Sequence, residues 1–445
     1  MSAAPRIVIV GGGLAGSLLA VFLARRGLAP IVLERAAPFD DARRPQGRSI
    51  NLALAARGIE ALRSAGAYDR VAGLALPMQG RMVHEPAVAP RFARYGLAEH
   101  EQIYSVSRAE LHLTLYRIAV QECGIEYRFE HECIDVNAAD GRLRIDTPQG
   151  EVGMHADVVL ASDGAGSNVR RALAQQGQVE AHEDLLDHGY KEFTIPPVAG
   201  NFALDAGALH IWPRGGFMLI ALPNVDRSFT ATLFLPLRGA VSFQRIEAAT
   251  VRAFFAAQFS DVEALVPNLE RDYAAHPTGA LGTVRCKPWQ AGGRVLLLGD
   301  AAHAIVPFHG QGMNAAFEDC RILDELIAAH GDRWQGIFDD FEARRTDNAH
   351  ALAEMALDNY TEMRDRVRDE RFQLKTALGF ELERRFPDSW VRRYSMVMFH
   401  PDIEYAQARS RGAIQEALLD RLILNAESLA DVDFDLAARL IRERL

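Results

Sequence analysis

An α/β fold is predicted from three features of the 445-residue chain. The first β-branched run, Arg6–Val10, stops at glycine, gives way to a helix-periodic segment and is followed by a second strand, Pro30–Glu34. Between about Gly189 and Leu237 the pattern changes to short apolar or alternating strands joined by turns containing Gly, Asn or Asp. From about Val295 the opening pattern returns, and the rest of the chain is rich in Ala, Leu, Glu and Arg. A doubly wound, Rossmann-like domain, interrupted by an antiparallel β-sheet domain and followed by a helical C-terminal region, satisfies all three.

The elements follow in order. Arg6–Val10 is a strand, and Ala15–Arg26 a helix ended by Gly27, so the chain opens with a βαβ unit whose crossover should be right-handed. Helices are expected over about Arg57–Leu74 and Arg108–Gly124, and strands over Glu126–His131, Leu143–Thr147 and Ala156–Ala161. Leu209–Trp212, Phe217–Leu222 and Phe229–Leu235 are the strands of the inserted sheet. After Val295 come a strand, a Gly-Asp turn and a helix beyond Gly312, with helices over about Ala315–Leu445. The expected division is residues 1–77, 100–180 and 275–375 for the discontinuous nucleotide-binding domain. Residues 78–99 and 181–274 form the β-sheet domain, and 376–445 the helical region.

Composition narrows the function. A formal charge of −10 gives no net attraction to nucleic acid or anionic lipid. Four cysteines lie far apart without a C-x-x-C pair, which excludes the usual zinc spacings and fits a reducing compartment. No run approaches the ~18–20 consecutive apolar residues of a membrane helix; Val158–Ala161 and Val295–Leu298 are strand-length. The N-terminus enters a strand directly, without the features of a signal peptide. A cytoplasmic protein with no membrane, nucleic-acid or metal partner is therefore expected; homodimerisation is left open.

Gly11, Gly13 and Gly16 form G-x-G-x-x-G between the first strand and helix, with Leu14 and Ala15 opening the helix. The first glycine permits the turn, the second lets a pyrophosphate approach backbone N–H groups, and the third lets the helix pack on the strand. The helix N-terminus then faces the phosphates. Glu34, followed by Arg35, ends the second strand and suits the ribose of an adenosine without a 2′-phosphate. This motif alone does not separate FAD from NAD.

Two later turns make that choice. Leu160–Gly166 (LASDGAG) runs a buried strand into Asp163, and Leu296–His303 (LLLGDAAH) runs another into Asp300, with Gly310, Gln311, Gly312, Met313 and Asn314 beyond. An acid at the carboxyl end of such a strand points into the ligand crevice and can bind the ribityl hydroxyls of a flavin, which nicotinamide lacks. Each dipeptide alone is equally a tight turn or helix cap. Three motifs in this order resemble the FAD-dependent group A aromatic hydroxylases, with their para-hydroxybenzoate hydroxylase-like fold, across essentially the whole chain. The resemblance implies that Asp300 holds the ribityl chain, that Asp163 serves FAD and NADPH, and that Arg108, of R-x-x-L, contacts the flavin. Otherwise Arg108 is an ordinary surface arginine of a helix.

Further stretches resemble the branch of that family that acts on L-kynurenine. They are Gly47–Ala55 (GRSINLALA), Gly80–His84 (GRMVH), His188–Glu192 (HGYKE), Leu209–Pro213 (LHIWP), Ile220–Asn224 (IALPN), Val306–Asn314 (VPFHGQGMN), Asp358–Met363 (DNYTEM) and Arg393–Val397 (RYSMV). By that resemblance Arg81 pairs with the substrate carboxylate, a role its planar fork suits. Tyr95, Asn359 and Tyr394 help hold the amino-acid end, and Leu209, Ile220, Leu222, Phe234, Pro307, Phe308 and His309 line the aromatic pocket. On periodicity alone Arg81 would be a surface arginine, and Leu209 to Phe234 plain core. Two positions depart from the family pattern: Asp358 stands where glutamate is expected, and His309 where some members have phenylalanine. The amphipathic, charged end LAARLIRERL implies a form without the C-terminal membrane helices of the eukaryotic members.

The implied reaction is NADPH- and O₂-consuming conversion of L-kynurenine to 3-hydroxy-L-kynurenine through a flavin C4a-hydroperoxide. The protein supplies no catalytic nucleophile, because the cofactor carries the chemistry. The helix after Gly312 would stabilise negative charge on the flavin. NADPH is expected to bind transiently, since no second G-x-G-x-x-G follows a strand. The rival readings are a hydroxylase of a different small aromatic acid, a flavin reductase or dehydrogenase on the same scaffold, and a non-catalytic flavin-binding protein.

Overall fold

The computed structural model describes residues 5–39, 51–366 and 369–445, and the chain divides into two compact units. The first comprises Met1–Ala75, Val106–Leu185 and Gly282–Ala353; the second comprises Leu76–Ser105, Leu186–Leu281 and Glu354–Leu445. The C-terminal residues from 376 onward thus cluster with the inserted β-sheet segments. Of the stretch Gly47–Ala55, residues 47–50 lie outside the described residues.

The first unit is built on a six-stranded sheet in the order Gln290–Ala291, Val295–Leu297, Val158–Ala161, Ile7–Val10, Ile31–Leu33, Glu126–Arg128. All neighbours are parallel except the first pair. Ile7–Val10 and Val158–Ala161 are buried at every residue, as a parallel sheet covered on both faces requires. Helix Leu14–Arg25 follows the first strand, and helix Gly312–His330 packs on it. A three-stranded antiparallel sheet (Glu132–Asn137, Arg142–Asp146, Val152–His155) also lies in this unit, and Asn51–Leu54 belongs to a further three-stranded sheet.

The register puts three motifs at one edge. Val10 pairs with Ala161, and Ala161 with Leu297, so Gly11, Asp163 and Asp300 all lie just past the carboxyl ends of adjacent strands. That edge is where a doubly wound sheet binds its ligand.

The second unit contains most of a seven-stranded sheet, ordered Gly279–Lys287, Glu180–Ile195, Phe229–Pro236, Met218–Pro223, Ala208–Pro213, Gly80–Val83, Arg91–Arg94. It is not purely antiparallel: Ala208–Pro213 runs parallel to Gly80–Val83. Strand alternation sorts its side chains between two faces. One face carries Phe193, Trp212, Leu219, Ala221, Ala231, Leu233 and Leu235, and forms a core with the helices of residues 251–275. A second core joins helices Glu370–Arg385, Tyr405–Leu422 and Phe434–Arg444 around Trp390.

Two predicted helices differ in detail. The segment expected over Arg57–Leu74 is two helices, Ala56–Ser64 and Tyr68–Ala72, because Gly66 at φ +67° ends the first. The one expected over Arg108–Gly124 is α-helical only to Arg117; Ile118–Glu122 widens, and Cys123 N–H donates to Ile118 O, five residues back. Among the described residues no helix is long and apolar enough to cross a membrane.

Candidate functional site: a nucleotide cradle and an arginine between tyrosines

The glycines of the first turn differ in what surrounds them. Gly11 has φ +96°, and a Cβ there would lie 2.6 Å from Ser162 O. A Cβ at Gly16 would lie 1.9 Å from Gly11 O, so only glycine lets the helix approach the strand. Gly13 differs from both. A Cβ there would meet nothing within 4 Å, and its backbone is extended, a conformation any residue adopts. Neither packing nor strain calls for glycine at Gly13; an incoming phosphate would. The adjoining helix Leu14–Arg25 has no side-chain cap and no acid in its first turn, and Leu14 and Ala15 are half-buried there. That terminus fits a pyrophosphate.

The intervening peptide is held from several sides. Gly12 N–H donates to Glu34 Oε2 at 2.8 Å, and Ala36 N–H to Glu34 Oε1 at 2.8 Å. Each carboxylate oxygen keeps a lone pair for a ribose hydroxyl. Ser17 Oγ donates to Gly12 O, and His112 Nε2 lies 2.6 Å from the same oxygen. Burial holds the His112 imidazole below its ordinary pKa, so it is a neutral donor at neutral pH. His112 lies one turn along the helix opened by Arg108, which is exposed, as is Arg35.

Asp163 and Asp300 have different surroundings. Asp163 accepts from Ser167 Oγ at 2.6 Å and from Val169 N–H at 3.2 Å, which ties it to the start of helix Asn168–Gln175. Burial raises its pKa despite those donors. Its side chain is thus engaged as a helix cap, while its backbone sits against Gly11. Asp300 is exposed, and a Cβ on Gly312 would lie 4.0 Å from its Oδ1. The Gly-Asp turn and the Gly310–Asn314 segment are therefore neighbours. Helix Gly312–His330 also starts without a side-chain cap or an acid in its first turn. Met313 is half-buried and Gln311 fully buried. Asn314 does something else: Oδ1 accepts from Ala55 N–H, while Nδ2 donates to the carbonyls of Ala53 and Gly310. It ties the Ala53–Ala55 segment to Gly310 at the helix start.

In the second unit, cross-strand pairing gathers the predicted substrate residues. Arg81 pairs with Leu209, Ile211 with Ile220, Ile220 with Thr232, Leu222 with Thr230, and Met218 with Phe234. Arg81, Leu209, Ile220, Leu222 and Phe234 consequently share the sheet face opposite Trp212 and its core. Leu209, Leu222 and Phe234 are buried.

The Arg81 guanidinium carbon lies 5.6 Å from the Tyr95 ring centre and 5.2 Å from that of Tyr394. The two rings are stacked, 5.5 Å apart and 14° from parallel. Arg81 Nε and the Tyr95 hydroxyl are buried without a hydrogen-bond partner of good geometry among the described residues. Arg81 likewise has no carboxylate within ion-pair distance among them. A half-buried guanidinium whose Nε is shielded from water is suited to an anion, and a ligand carboxylate suits its fork. Burial raises the pKa of both tyrosines, leaving neutral hydroxyls able to donate.

Glu362 was not singled out from the sequence. It bonds Arg393 at 2.8 Å and lies within electrostatic reach of Arg81; burial raises its pKa, opposed by those two arginines. Asp358 also faces Arg393, at 3.7 Å. Asn359 is buried on helix Trp334–Thr361, its amide 3.3 Å from Met363 Sδ. Neighbouring Arg392 binds Tyr95 O, Glu383 and Ser395. The DNYTEM spacing could have pointed to Glu362, since Asn359 and Glu362 are one helical turn apart. Pro307, Phe308 and His309 belong to the first unit, as a single tight turn ended by Gly310 at φ +67°; Phe308 and His309 are buried and Pro307 exposed. Among the described residues no group of three His, Cys, Asp or Glu could hold a metal ion.

A doubly wound sheet with an open glycine cradle and two acid-bearing turns, in one chain with a mostly antiparallel sheet, defines an FAD-binding protein of the flavin hydroxylase fold. A family model described as an FAD binding domain matches residues 5–356. Solved structures agree on the fold: 2-methyl-3-hydroxypyridine-5-carboxylic acid oxygenase has a TM-score of 0.68 at 19% identity, over 82% of this chain and 94% of that one. The p-nitrophenol 4-monooxygenase of Pseudomonas putida has a TM-score of 0.66 at 18% identity, over 86% and 94%. Sequence similarity is closer to curated proteins. The kynurenine 3-monooxygenase of Myxococcus xanthus is 44% identical over 443 residues, 99% of this chain and 95% of that one. That of Stenotrophomonas maltophilia is 44% identical over 430 residues, 96% and 94%. The chain belongs to the kynurenine 3-monooxygenase family of FAD-dependent enzymes.

Proposed function

We propose that this enzyme uses NADPH and O₂ to hydroxylate L-kynurenine to 3-hydroxy-L-kynurenine, and that Arg81 selects the substrate by its carboxylate. The observation that carries the substrate reading is the Arg81 guanidinium, flanked by the rings of Tyr95 and Tyr394 and with no carboxylate within ion-pair distance among the described residues. FAD, when bound, supplies electron storage and oxygen activation. The cradle residues Gly11, Gly13, Leu14, Ala15, Gly16 and Glu34 would hold its pyrophosphate and ribose. Asp300, with the helix start at Gly312 and Met313, would face its flavin end; Arg35, Arg108, Asp163, Gly310, Gln311 and Asn314 would contribute elsewhere around the FAD site.

The protein's part is placement. Arg81 grips the substrate carboxylate with two parallel N–H groups, and the Tyr95 and Tyr394 hydroxyls add donors to it. Asn359 contributes at the amino-acid end. Leu209, Ile220, Leu222 and Phe234 offer the aromatic ring a dry apolar surface. No side chain is required as nucleophile, because the amino group already on the ring activates the carbon beside it. Cytoplasmic location is part of this reading; the four cysteines, all free, support it.

The test is ligand binding followed by the flavin absorption spectrum. L-kynurenine and its decarboxylated analogue kynuramine are titrated into the wild-type holoenzyme and Arg81→Ala. The expected result is tight binding of kynurenine to wild type only, with kynuramine weak on both. Equal affinities for the two ligands in wild type would remove Arg81 from carboxylate recognition and favour a different aromatic substrate.

A further inference from the structure

Beneath the Gly-Asp turn lies a buried chain of charges that spacing did not reveal. Arg57 Nη1 donates to Glu318 Oε1 at 2.6 Å, and Arg345 Nη1 to Glu318 Oε2 at 2.6 Å. Arg345 Nε donates to Asp319 Oδ1 at 2.6 Å. The other oxygen, Asp319 Oδ2, accepts Gly299 N–H at 2.9 Å and lies 2.6 Å from His303 Nε2. His303 is held in turn by stacking on Trp289, ring centres 4.9 Å apart. Asp319, fully buried, sits on helix Gly312–His330, two turns past its start. Although burial favours the neutral acid, His303 and Arg345 hold Asp319 below the usual carboxylate range, so it is charged.

We infer that Asp319 is a positioning residue for the flavin: through Gly299 N–H and His303 it fixes the Gly299-Asp300 turn to the helix whose start would face the flavin. Three details support a positioning role over simple packing. Gly299 has φ +57°, a conformation glycine enters and leaves freely, so its own backbone does not fix the peptide and the bond to Asp319 can. The bond reaches the residue immediately before Asp300, so a small rotation there swings the exposed carboxylate. A Cβ on Gly299 would lie 3.2 Å from Ala316 Cβ and 3.7 Å from Ala15 Cβ, so three elements of the cradle converge on this peptide. The oxygen that holds it is shared with His303, one turn further on, which fixes both ends of helix Asp300–His303. Arg345 and Glu318 keep the Asp319 carboxylate from rotating.

The inference rests on the reading of Asp300 as a flavin ligand, and the test separates the two. FAD dissociation constants are measured by flavin fluorescence on reconstituted apoprotein for Asp319→Asn, His303→Ala, His303→Gln and Asp300→Ala, with folding followed by circular dichroism. Asp319→Asn places an amide N–H against Arg345 Nε or against Gly299 N–H, and should weaken FAD on the order of tenfold or more. His303→Ala should weaken it several-fold, and His303→Gln, which keeps an N–H for Asp319, should restore most of that. If Asp319→Asn fails to fold, the His303 pair decides alone. Wild-type affinity in Asp319→Asn, or in His303→Ala, with only a lower melting temperature, would make the network structural and overturn the inference. Wild-type affinity in Asp300→Ala would instead overturn the reading of the turn itself.

Discussion

Arg81 owes its condition to two neighbours that cannot neutralise it. Tyr95 and Tyr394 give its charge ring faces and hydroxyls but no anion, and Glu362 is already bonded to Arg393. Truncating a buried charge that grips a ligand carboxylate costs about 2–5 kcal/mol. Arg81→Ala should therefore raise the KM for L-kynurenine by roughly 30-fold or more, with much smaller change in FAD content. Arg81→Lys should recover only part, because a point charge lacks the planar fork. Tyr95→Phe removes one hydroxyl and should cost about 1 kcal/mol, or roughly fivefold in KM. Steady-state kinetics with kynurenine decide all three; an unchanged KM in Arg81→Ala would move the carboxylate site elsewhere. Of these residues only their motif membership was visible beforehand. Arg81 looks like any strand arginine until Leu209, 128 positions later, pairs with it, and Glu362 carries no signal except its place one turn after Asn359.

At the scale of the element, the βαβ opening was legible because each glycine answers a local geometric demand. The structure separates those demands, so substitutions can as well. Gly16→Ala should strain the strand–helix contact and destabilise the fold by about 1–3 kcal/mol, read as a lower midpoint in urea. Gly13→Ala meets open space and extended backbone, so the apoprotein should keep its stability while FAD affinity falls at least about tenfold, as for loss of a strong hydrogen-bonded contact. Normal FAD binding by Gly13→Ala would contradict the cradle. The Asp-Gly turn was less legible. LASDGAG suits a ligand acid or a helix cap equally, and the bonds from Ser167 and Val169 show the cap. Helix boundaries were missed where the cause is not a run pattern: Gly66 divides one helix, and a five-residue hydrogen bond widens another.

For the whole molecule, the order of glycine cradle, Asp-Gly and Gly-Asp was enough to predict a sheet edge carrying all three, and the pairing of Val10, Ala161 and Leu297 places them there. The long-range charge network was not legible, since Arg57 and Glu318 are 261 positions apart and share no spacing rule. A second buried polar cluster sets an expected response to acid. His210 Nε2 faces Asp205 O at 2.8 Å and its Nδ1 faces His84 Nε2 at 2.9 Å, and burial, with His84 adding to it, pushes its pKa down to about 4 from 6.5. A histidine whose folded pKa is lowered contributes stability that is complete above 6.5 and lost as pH falls toward 4, because the unfolded chain binds the extra proton. The loss should reach about 3 kcal/mol at most. Urea unfolding at pH 7 and pH 5 would show it, and His210→Gln should flatten the dependence; an equal slope in the variant would remove His210 from the acid response.

The most direct measurement is NADPH oxidation by the purified, FAD-loaded protein with and without L-kynurenine, following O₂, H₂O₂ and product together. Slow oxidation that kynurenine accelerates, with one 3-hydroxykynurenine formed for each NADPH consumed and the stimulation lost in Arg81→Ala, is the expected result. Kynurenine-stimulated oxidation that yields only H₂O₂, or no stimulation at all, would contradict kynurenine as the substrate.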